Sequence, residues 1–122
     1  MTRAVRGAIQ VRENTRAAIE DAAVRLLGEL LRANSLAEDG IISVIFSLTG
    51  DLTTGNPATG LRRAGFASVP LFCAQEPRLE GAMPKVIRAL VTFNAIDLQS
   101  PVPIYLDGAE ALRPDLQPGT HA

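Results

Sequence analysis

The side chains of this sequence that are suited to chemistry are mainly arginines. Of its twelve basic residues, all except Lys85 are arginine. A guanidinium offers a planar, two-pronged donor that matches carboxylates and phosphates, whereas an ammonium offers a point charge. Several converging arginines would therefore suit an anionic small molecule, which the protein would bind and stabilise electrostatically. The alternative is that the arginine excess reflects only a GC-rich genome.

The sequence lacks the residues that several other chemistries require. It contains neither a phosphate-binding G-x-x-x-x-G-K-[ST] loop nor a dinucleotide-binding G-x-G-x-x-G motif. The only histidine, His121, stands beside the C-terminus, which argues against histidine acid–base catalysis and against a zinc site. The only cysteine, Cys73, therefore has no histidine partner for nucleophilic catalysis.

Composition also limits the partners and the location that we expect. The formal net charge is −1 and basic residues form no run, which argues against nucleic-acid and membrane-surface binding. One cysteine permits no internal disulfide, the N-terminus lacks the apolar core of a signal peptide, and no apolar run approaches the ~20 residues of a membrane helix. We expect a cytoplasmic protein with a single domain, 1–122, whose last residues, 117–122, fray.

Hydrophobic patterning predicts the elements that would position the arginines. Apolar residues recur at helical spacing from Ile19 to Leu31, with Thr15 as a suitable N-cap, and predict one long helix. Pro57 suits the start of a short second helix. Apolar and β-branched runs predict strands at 4–11, 41–49, 68–73 and 85–94, with a short fifth strand at 104–106.

These elements predict an α+β fold, in which one long helix lies on a mixed five-stranded sheet. One helix cannot cover both faces of five strands, so the second face must meet solvent or another chain. Because the strands are apolar, and 41–49 in particular is typical of a buried strand, we expect another chain there.

Short motifs along the chain carry a resemblance to a known family. They are Arg3-Ala-Val-Arg-Gly-Ala, Thr49-Gly-Asp-Leu, Pro57-Ala-Thr-Gly-Leu-Arg, Val69-Pro-Leu-Phe-Cys-Ala-Gln-Glu, Lys85-Val-Ile-Arg, and Tyr105-Leu followed by Ala111-Leu-Arg-Pro-Asp-Leu. In order and spacing, from about residue 3 to 116, they resemble the trimeric pseudo-α/β-barrel class of chorismate mutases. Each motif alone is weak, but their joint order is specific.

The resemblance implies a fold, an assembly and a reaction. The fold would be a pseudo-α/β-barrel whose strand faces pack together in a homotrimer, with active sites between subunits. The reaction would be the rearrangement of chorismate to prephenate, an intramolecular step that needs no cofactor. A C–O bond stretches and negative charge builds on the ether oxygen, so the enzyme must hold the bent conformer and place positive charge beside that oxygen.

The resemblance also implies residue roles. Arg88 would stand beside the ether oxygen, Glu76 would meet the ring hydroxyl, and Arg6 would bind a carboxylate. The segment 57–62 would come from a neighbouring chain, whereas Arg63 is expected on the outer helix face. The substrate-binding residues would be Tyr105, Cys73, Arg62, Arg113, Ala58 and Leu112.

Structural roles are the alternative at each of these positions. An unpaired charge within an apolar strand is costly, so Arg88 would then belong to a structural ion pair. Cys73 would be a small buried hydrophobe, and Tyr105 a core residue with a tethered hydroxyl. Asn56 and Thr59 depart from the aromatic residue and the lysine frequent in the family, which bears on the rim of the pocket.

Two other functions stay open at this point. Trimeric imine- or enamine-deaminating proteins of the Rid type share a similar fold and also bind a carboxylate through a strand arginine. A non-catalytic trimer that binds small carboxylates is the other alternative. The early R-G-A and the late R-P-D-L favour the mutase.

Overall fold

One sheet organises the chain, whose computed structural model describes residues 1–96 and 100–116. The strands are β1 (Thr2–Gln10), β2 (Ile41–Leu48), β3 (Leu71–Gln75), β4 (Val86–Asn94) and β5 (Ile104–Leu106). The helices are α1 (Arg16–Ala33) and α2 (Pro57–Arg63). Single 3₁₀ turns lie at Glu38–Gly40, Ala109–Leu112 and Pro114–Leu116.

Both helices begin where the sequence offers a capping side chain. Thr15 accepts a hydrogen bond from the backbone N–H of Ala18 at 3.2 Å, as predicted. Asn56 accepts one from Ala58 at 2.8 Å, and Pro57 fills the first helical position, where its missing N–H is not needed. Asn56 therefore has a structural task of its own at the start of α2.

The sheet is mixed, in the order β3-β2-β4-β1-β5. Its centre, β4, runs antiparallel to both β1 and β2, and each of those strands carries a parallel partner on its outer side. The helix α1 packs on one face, where its buried leucines and Ile19 meet the inward residues of the strands. Alternation along the strands thus separates a face covered by α1 from a second face, which is open except around Ala8 and Val86, where Ala109 forms a small buried cluster with them.

The open face carries an apolar row that crosses three strands. Phe72, Ile45 and Leu90 are register partners and are 65%, 44% and 36% exposed. The next partner in the row is Arg6 on β1. In this chain β2 is therefore buried on one side only, which differs from the buried strand expected for 41–49.

The predicted fold class and mixed five-stranded sheet are confirmed. The largest boundary difference is at β3, which begins three residues later than predicted and ends two residues later. Pro70 has no N–H to donate, and its carbonyl accepts from Val44, so pairing starts after it. At the other end, Glu76 donates its N–H to Leu48 at 2.7 Å.

None of the helices in the described residues is long and apolar enough to cross a membrane. The predicted frayed tail, 117–122, lies outside the described residues. That 1–122 form one domain stays a prediction.

Candidate active site

Three neighbouring strands bring the predicted arginine site together on the open face. Arg88 on β4 is paired in register with Ala8 on β1, and Ala8 is paired with Tyr105 on β5. Arg6 lies two residues before Ala8 and so projects from the same face. The small side chain of Ala8 leaves space between the three functional groups.

A cavity of about 260 Å³ lies between these groups. Two predicted residues from the C-terminal part of the described chain, Leu112 and Arg113, close it from the side of β5. Its lining residues are Arg6, Gly7, Arg88, Ala89, Tyr105, Leu112 and Arg113. Five of the nine residues predicted for the site therefore surround one small cavity.

Among the described residues, Arg88 forms one ion pair, and this pair engages only its Nε. Its Nε donates to both carboxylate oxygens of Glu76, at 3.0 and 3.2 Å. Within residues 1–96 and 100–116, neither terminal nitrogen of Arg88 has a hydrogen-bond acceptor. The side chain of Arg88 is 42% exposed, whereas that of Glu76 is 19% exposed. A half-exposed cation, whose terminal nitrogens have no acceptor in this part of the chain, thus lines the cavity.

Ser47 completes this group, and the sequence analysis missed it. Its hydroxyl donates to Oε2 of Glu76 at 2.6 Å, from the β2 position that is paired with Arg88. The only signal in the sequence is that Ser47, like Ser43, is a polar residue within the apolar run of β2, on the same face as Ile45. A single serine in a strand is too common to identify a site.

On the other side of the cavity, Arg113 stacks on Tyr105. Its guanidinium carbon lies 5.9 Å from the ring centre, which is cation–π distance. Its Nε and Nη2 also donate to the two oxygens of Asp115 at 3.0 and 2.8 Å. Hydrogen bonding to Asp115, and then to Tyr105, raises the pKa of Arg113 above its ordinary value. Arg113 therefore stays positively charged and lines one side of the cavity.

The Thr49-Gly-Asp-Leu motif anchors the strand that carries Arg88. Asp51 accepts two hydrogen bonds from the N–H of Lys85, at 3.0 and 3.1 Å, and one from the Thr49 hydroxyl at 2.6 Å. Lys85 has a φ of +53°, in the left-handed region that side chains rarely adopt. Burial opposes ionisation of Asp51, but hydrogen bonds from Thr49 and Lys85 prevail, and its pKa is lowered.

Cys73 lies on the other face of the sheet. It is paired with the buried Phe46 and packs against the main core, on the side of α1. Burial raises the pKa of its thiol, which stays protonated at neutral pH. The structure therefore does not bring the Cys73 side chain to the cavity.

The two predicted residues of α2 also lie away from this cavity within the chain. Ala58 is in the first turn, where its N–H is capped, and Arg62 donates to the carbonyl of Phe66 at 2.7 Å. Neither lines the cavity. This placement is the one expected if the segment 57–62 serves a neighbouring chain.

Arg63, which was expected on the outer face of α2, also pairs with a residue of α1. Its side chain is 57% exposed, but Nη1 lies 3.4 Å from Oε1 of Glu20, which is buried in α1 and also paired with Arg16 at 3.1 Å. Gly60 permits this contact, because a Cβ there would lie 2.8 Å from the Cα of Glu20. Arg63 therefore helps to join α2 to α1.

No three His, Cys, Asp or Glu side chains of the described residues come close enough to hold a metal ion. The polar groups that line the cavity are guanidinium and phenol groups, and the Glu76 carboxylate accepts hydrogen bonds from one of the guanidinium groups. This set binds carboxylates and stabilises negative charge, and it does not include a nucleophile paired with a base.

Comparisons with known proteins point to one family. The family model described as "Chorismate mutase type I" matches residues 2–116. A chorismate mutase AroH from Thermus thermophilus is 42% identical over 119 residues, covering 96% of this chain and 98% of that protein. Its counterpart from Bacillus subtilis is 32% identical over 118 residues, covering 95% and 93%. The structure of a chorismate mutase from Clostridium thermocellum superimposes with a TM-score of 0.86 at 36% identity, covering 89% of this chain and 98% of that chain.

Proposed function

This chain belongs to the chorismate mutase type I family, and we propose that it rearranges chorismate to prephenate in the cavity between β1, β4 and β5. The observation that carries this proposal is the convergence of Arg6, Arg88, Tyr105, Leu112 and Arg113 on a single cavity. The family resemblance identified the same five residues from sequence motifs alone, without information on which of them lie close together.

Arg88 is the residue to which we assign the main catalytic effect. The ether oxygen of chorismate gains negative charge only as its C–O bond breaks, so a fixed cation stabilises the transition state more than the bound substrate. Arg88 lines the cavity, its terminal nitrogens have no acceptor in the described part of the chain, and Glu76 already orients its guanidinium. Little reorganisation is then needed when the charge develops.

The remaining groups would hold the substrate in its bent conformer. We assign one carboxylate of chorismate to Arg6, with Tyr105 beside it, and the other side of the cavity to Arg113 and Leu112. Glu76 keeps acceptor capacity on Oε1 for the ring hydroxyl. Cys73 would contribute through its backbone, since its side chain faces the core.

We further propose a homotrimer in which Ala58 and Arg62 complete the site of a neighbouring subunit. Two features support it, namely the apolar row of Phe72, Ile45 and Leu90 on the open face and the distance of α2 from its own chain's cavity. The row ends at Arg6, so a subunit that covers the row would reach the rim of the site. A cytoplasmic location stays a prediction, to be tested by cell fractionation.

Turnover of chorismate by the purified protein tests the activity. Loss of chorismate absorbance at micromolar enzyme, with prephenate identified by NMR, is the expected result. An imine substrate assayed in parallel tests the Rid-type alternative. Absence of chorismate turnover by a folded protein, or turnover of the imine instead, would contradict the proposal.

The assembly is tested by sedimentation equilibrium at micromolar protein. The parent should show about three times the chain mass of 12.9 kDa. Phe72→Asp, which places a charge within the apolar row, should dissociate the trimer. Ile96→Asp, at a 96% exposed residue outside the row, should not. A monomeric parent that still turns over chorismate would refute both the trimer and the shared site.

A further inference from the structure

We propose that Ser47 is a positioning residue for catalysis, which holds Glu76 on the Nε of Arg88 and so keeps the terminal nitrogens of Arg88 available to the substrate. The proposal rests on the roles proposed above for Arg88 and Glu76. It concerns a residue that none of the family-like motifs contains.

The unusual feature is the geometry of the ion pair. A carboxylate meeting a guanidinium favours two parallel hydrogen bonds to two different nitrogens. Here both oxygens of Glu76 contact the single Nε of Arg88, at 3.0 and 3.2 Å. Something must hold the carboxylate away from the terminal nitrogens, where a two-pronged pair would form.

Ser47 is the group that does so. Its hydroxyl donates to Oε2 of Glu76 at 2.6 Å, which is shorter than either contact with Arg88. Ser47 is fixed in β2 by strand pairing with Arg88 on one side and with Ala74 on the other, so its hydroxyl is on a rigid support. The backbone N–H of Glu76 is bonded to Leu48, the next residue of β2.

The hydrogen bond from Ser47 thus limits where Oε2 of Glu76 can bind. Without the hydroxyl, Oε2 would be free to bond a terminal nitrogen of Arg88, and the two-pronged pair would occupy the donors meant for the ether oxygen. The substrate contacts that we assign to Arg6, Tyr105 and Arg113 would change little. The predicted signature is thus a fall in kcat with little change in KM.

The test compares Ser47→Ala with Ser43→Ala, a matched control. Ser43 lies on the same strand and the same open face and is also half-buried. Ser47→Ala should lower kcat on the order of tenfold, the effect of one hydrogen bond to a charged group, with KM within about threefold. Ser43→Ala should leave both constants unchanged. An unaltered kcat in Ser47→Ala would overturn the proposal.

A double-mutant cycle separates positioning from a general effect on packing. If Ser47 acts through Glu76, then Ser47→Ala should have almost no further effect in a Glu76→Gln background. An equal loss in both backgrounds would refute the mechanism. Since the parent's turnover is measured in the same series, an inactive parent would count against the proposed function rather than against the role of Ser47.

A nearly isosteric pair of variants keeps the test decisive if Ser47→Ala alters the assembly. Ser47→Thr retains the hydroxyl and suits a strand, whereas Ser47→Val has the same shape without it. Sedimentation and thermal unfolding should be alike for the two variants. The proposal predicts that Thr restores most of kcat and Val does not, and equal activities would refute it.

Discussion

Replacing Arg88 by alanine is the most direct test of the proposed chemistry. The substitution removes the cation that we place at the ether oxygen and leaves the cavity otherwise lined as before, by Arg6, Tyr105 and Arg113. The groups that remain are those to which we assign substrate binding. We therefore expect a large loss in kcat and a much smaller rise in KM.

The size of the effect follows from the donors that are lost. Removing one preorganised donor to a developing oxyanion typically costs ~10²–10³ in kcat, or about 2.7–4 kcal/mol. Arg88 presents two terminal nitrogens without acceptors in the described residues, so we expect a loss of at least ~10³. Arg88→Lys keeps the charge but loses the planar fork and should recover only a small part.

Loss of Arg88 also leaves the carboxylate of Glu76 with the Ser47 hydroxyl as its only remaining hydrogen-bond partner among the described residues. Removing one hydrogen-bond partner from a buried polar group costs about 1–3 kcal/mol of stability. Activity should therefore be measured well below the unfolding temperature of each variant, with sedimentation as a check on assembly.

The control for this experiment is Arg12→Ala. Arg12 is exposed and does not line the cavity, whereas Arg63 is unsuitable because it pairs with Glu20. Arg12→Ala should keep parental kcat and KM. A folded Arg88→Ala protein with kcat within a few-fold of the parent would refute the reasoning and make Arg88 a structural ion-pair residue.

Three further outcomes follow from the structure. Cys73→Ala should lower kcat/KM by about tenfold or less, because the protonated thiol faces the core, and abolished turnover in a folded variant would contradict this. Gly60→Ala should destabilise the protein by about 1–3 kcal/mol in thermal unfolding, since its Cβ would press on the backbone of α1. Gly28→Ala, whose Cβ would meet nothing within 4 Å, should stabilise instead, and equal effects would refute the close approach. Asp51, with a folded pKa below its ordinary 3.8, contributes stability above that pH that is lost as the pH falls further. Denaturant unfolding of Asp51→Asn should therefore show a smaller loss below pH 3.8 than the parent, and parallel curves would contradict it.

Local patterns predicted most of the elements, because capping and alternation act within a few residues. Thr15 begins α1 as predicted, and four of the five strands lie within two residues of their predicted bounds. The boundary of β3 was missed because Pro70 lacks a donor, which delays pairing. The central place of β4 between β1 and β2 depends on long-range packing and has no local signal.

The alternation of side-chain direction along β3 is enough to determine the face of the sheet on which Cys73 lies. Residues two apart in a strand share a face, so Ala74 lies with Phe72 on the open side and Cys73 lies opposite. A role for the Cys73 side chain on the same face as Arg88 was therefore in conflict with strand geometry. Only its backbone is compatible with the position that the family resemblance suggests.

The charges of the cavity favour a site completed by a second chain. Chorismate carries two carboxylates, yet Nε and Nη2 of Arg113 already bind the two oxygens of Asp115, and Glu76 partly compensates the charge of Arg88. Of the arginines lining the cavity, only Arg6 has no carboxylate partner among the described residues. Binding of the second carboxylate of chorismate therefore requires a further cation that has no carboxylate partner of its own. Arg62 would meet that need in the proposed trimer, because its one hydrogen bond within residues 1–96 and 100–116 is to the neutral carbonyl of Phe66, and it lies on the helix expected to reach a neighbouring subunit. Covering the apolar row beside Arg6 would also remove water from the site, and both guanidinium groups would then act at lower dielectric, where their stabilisation of negative charge is stronger.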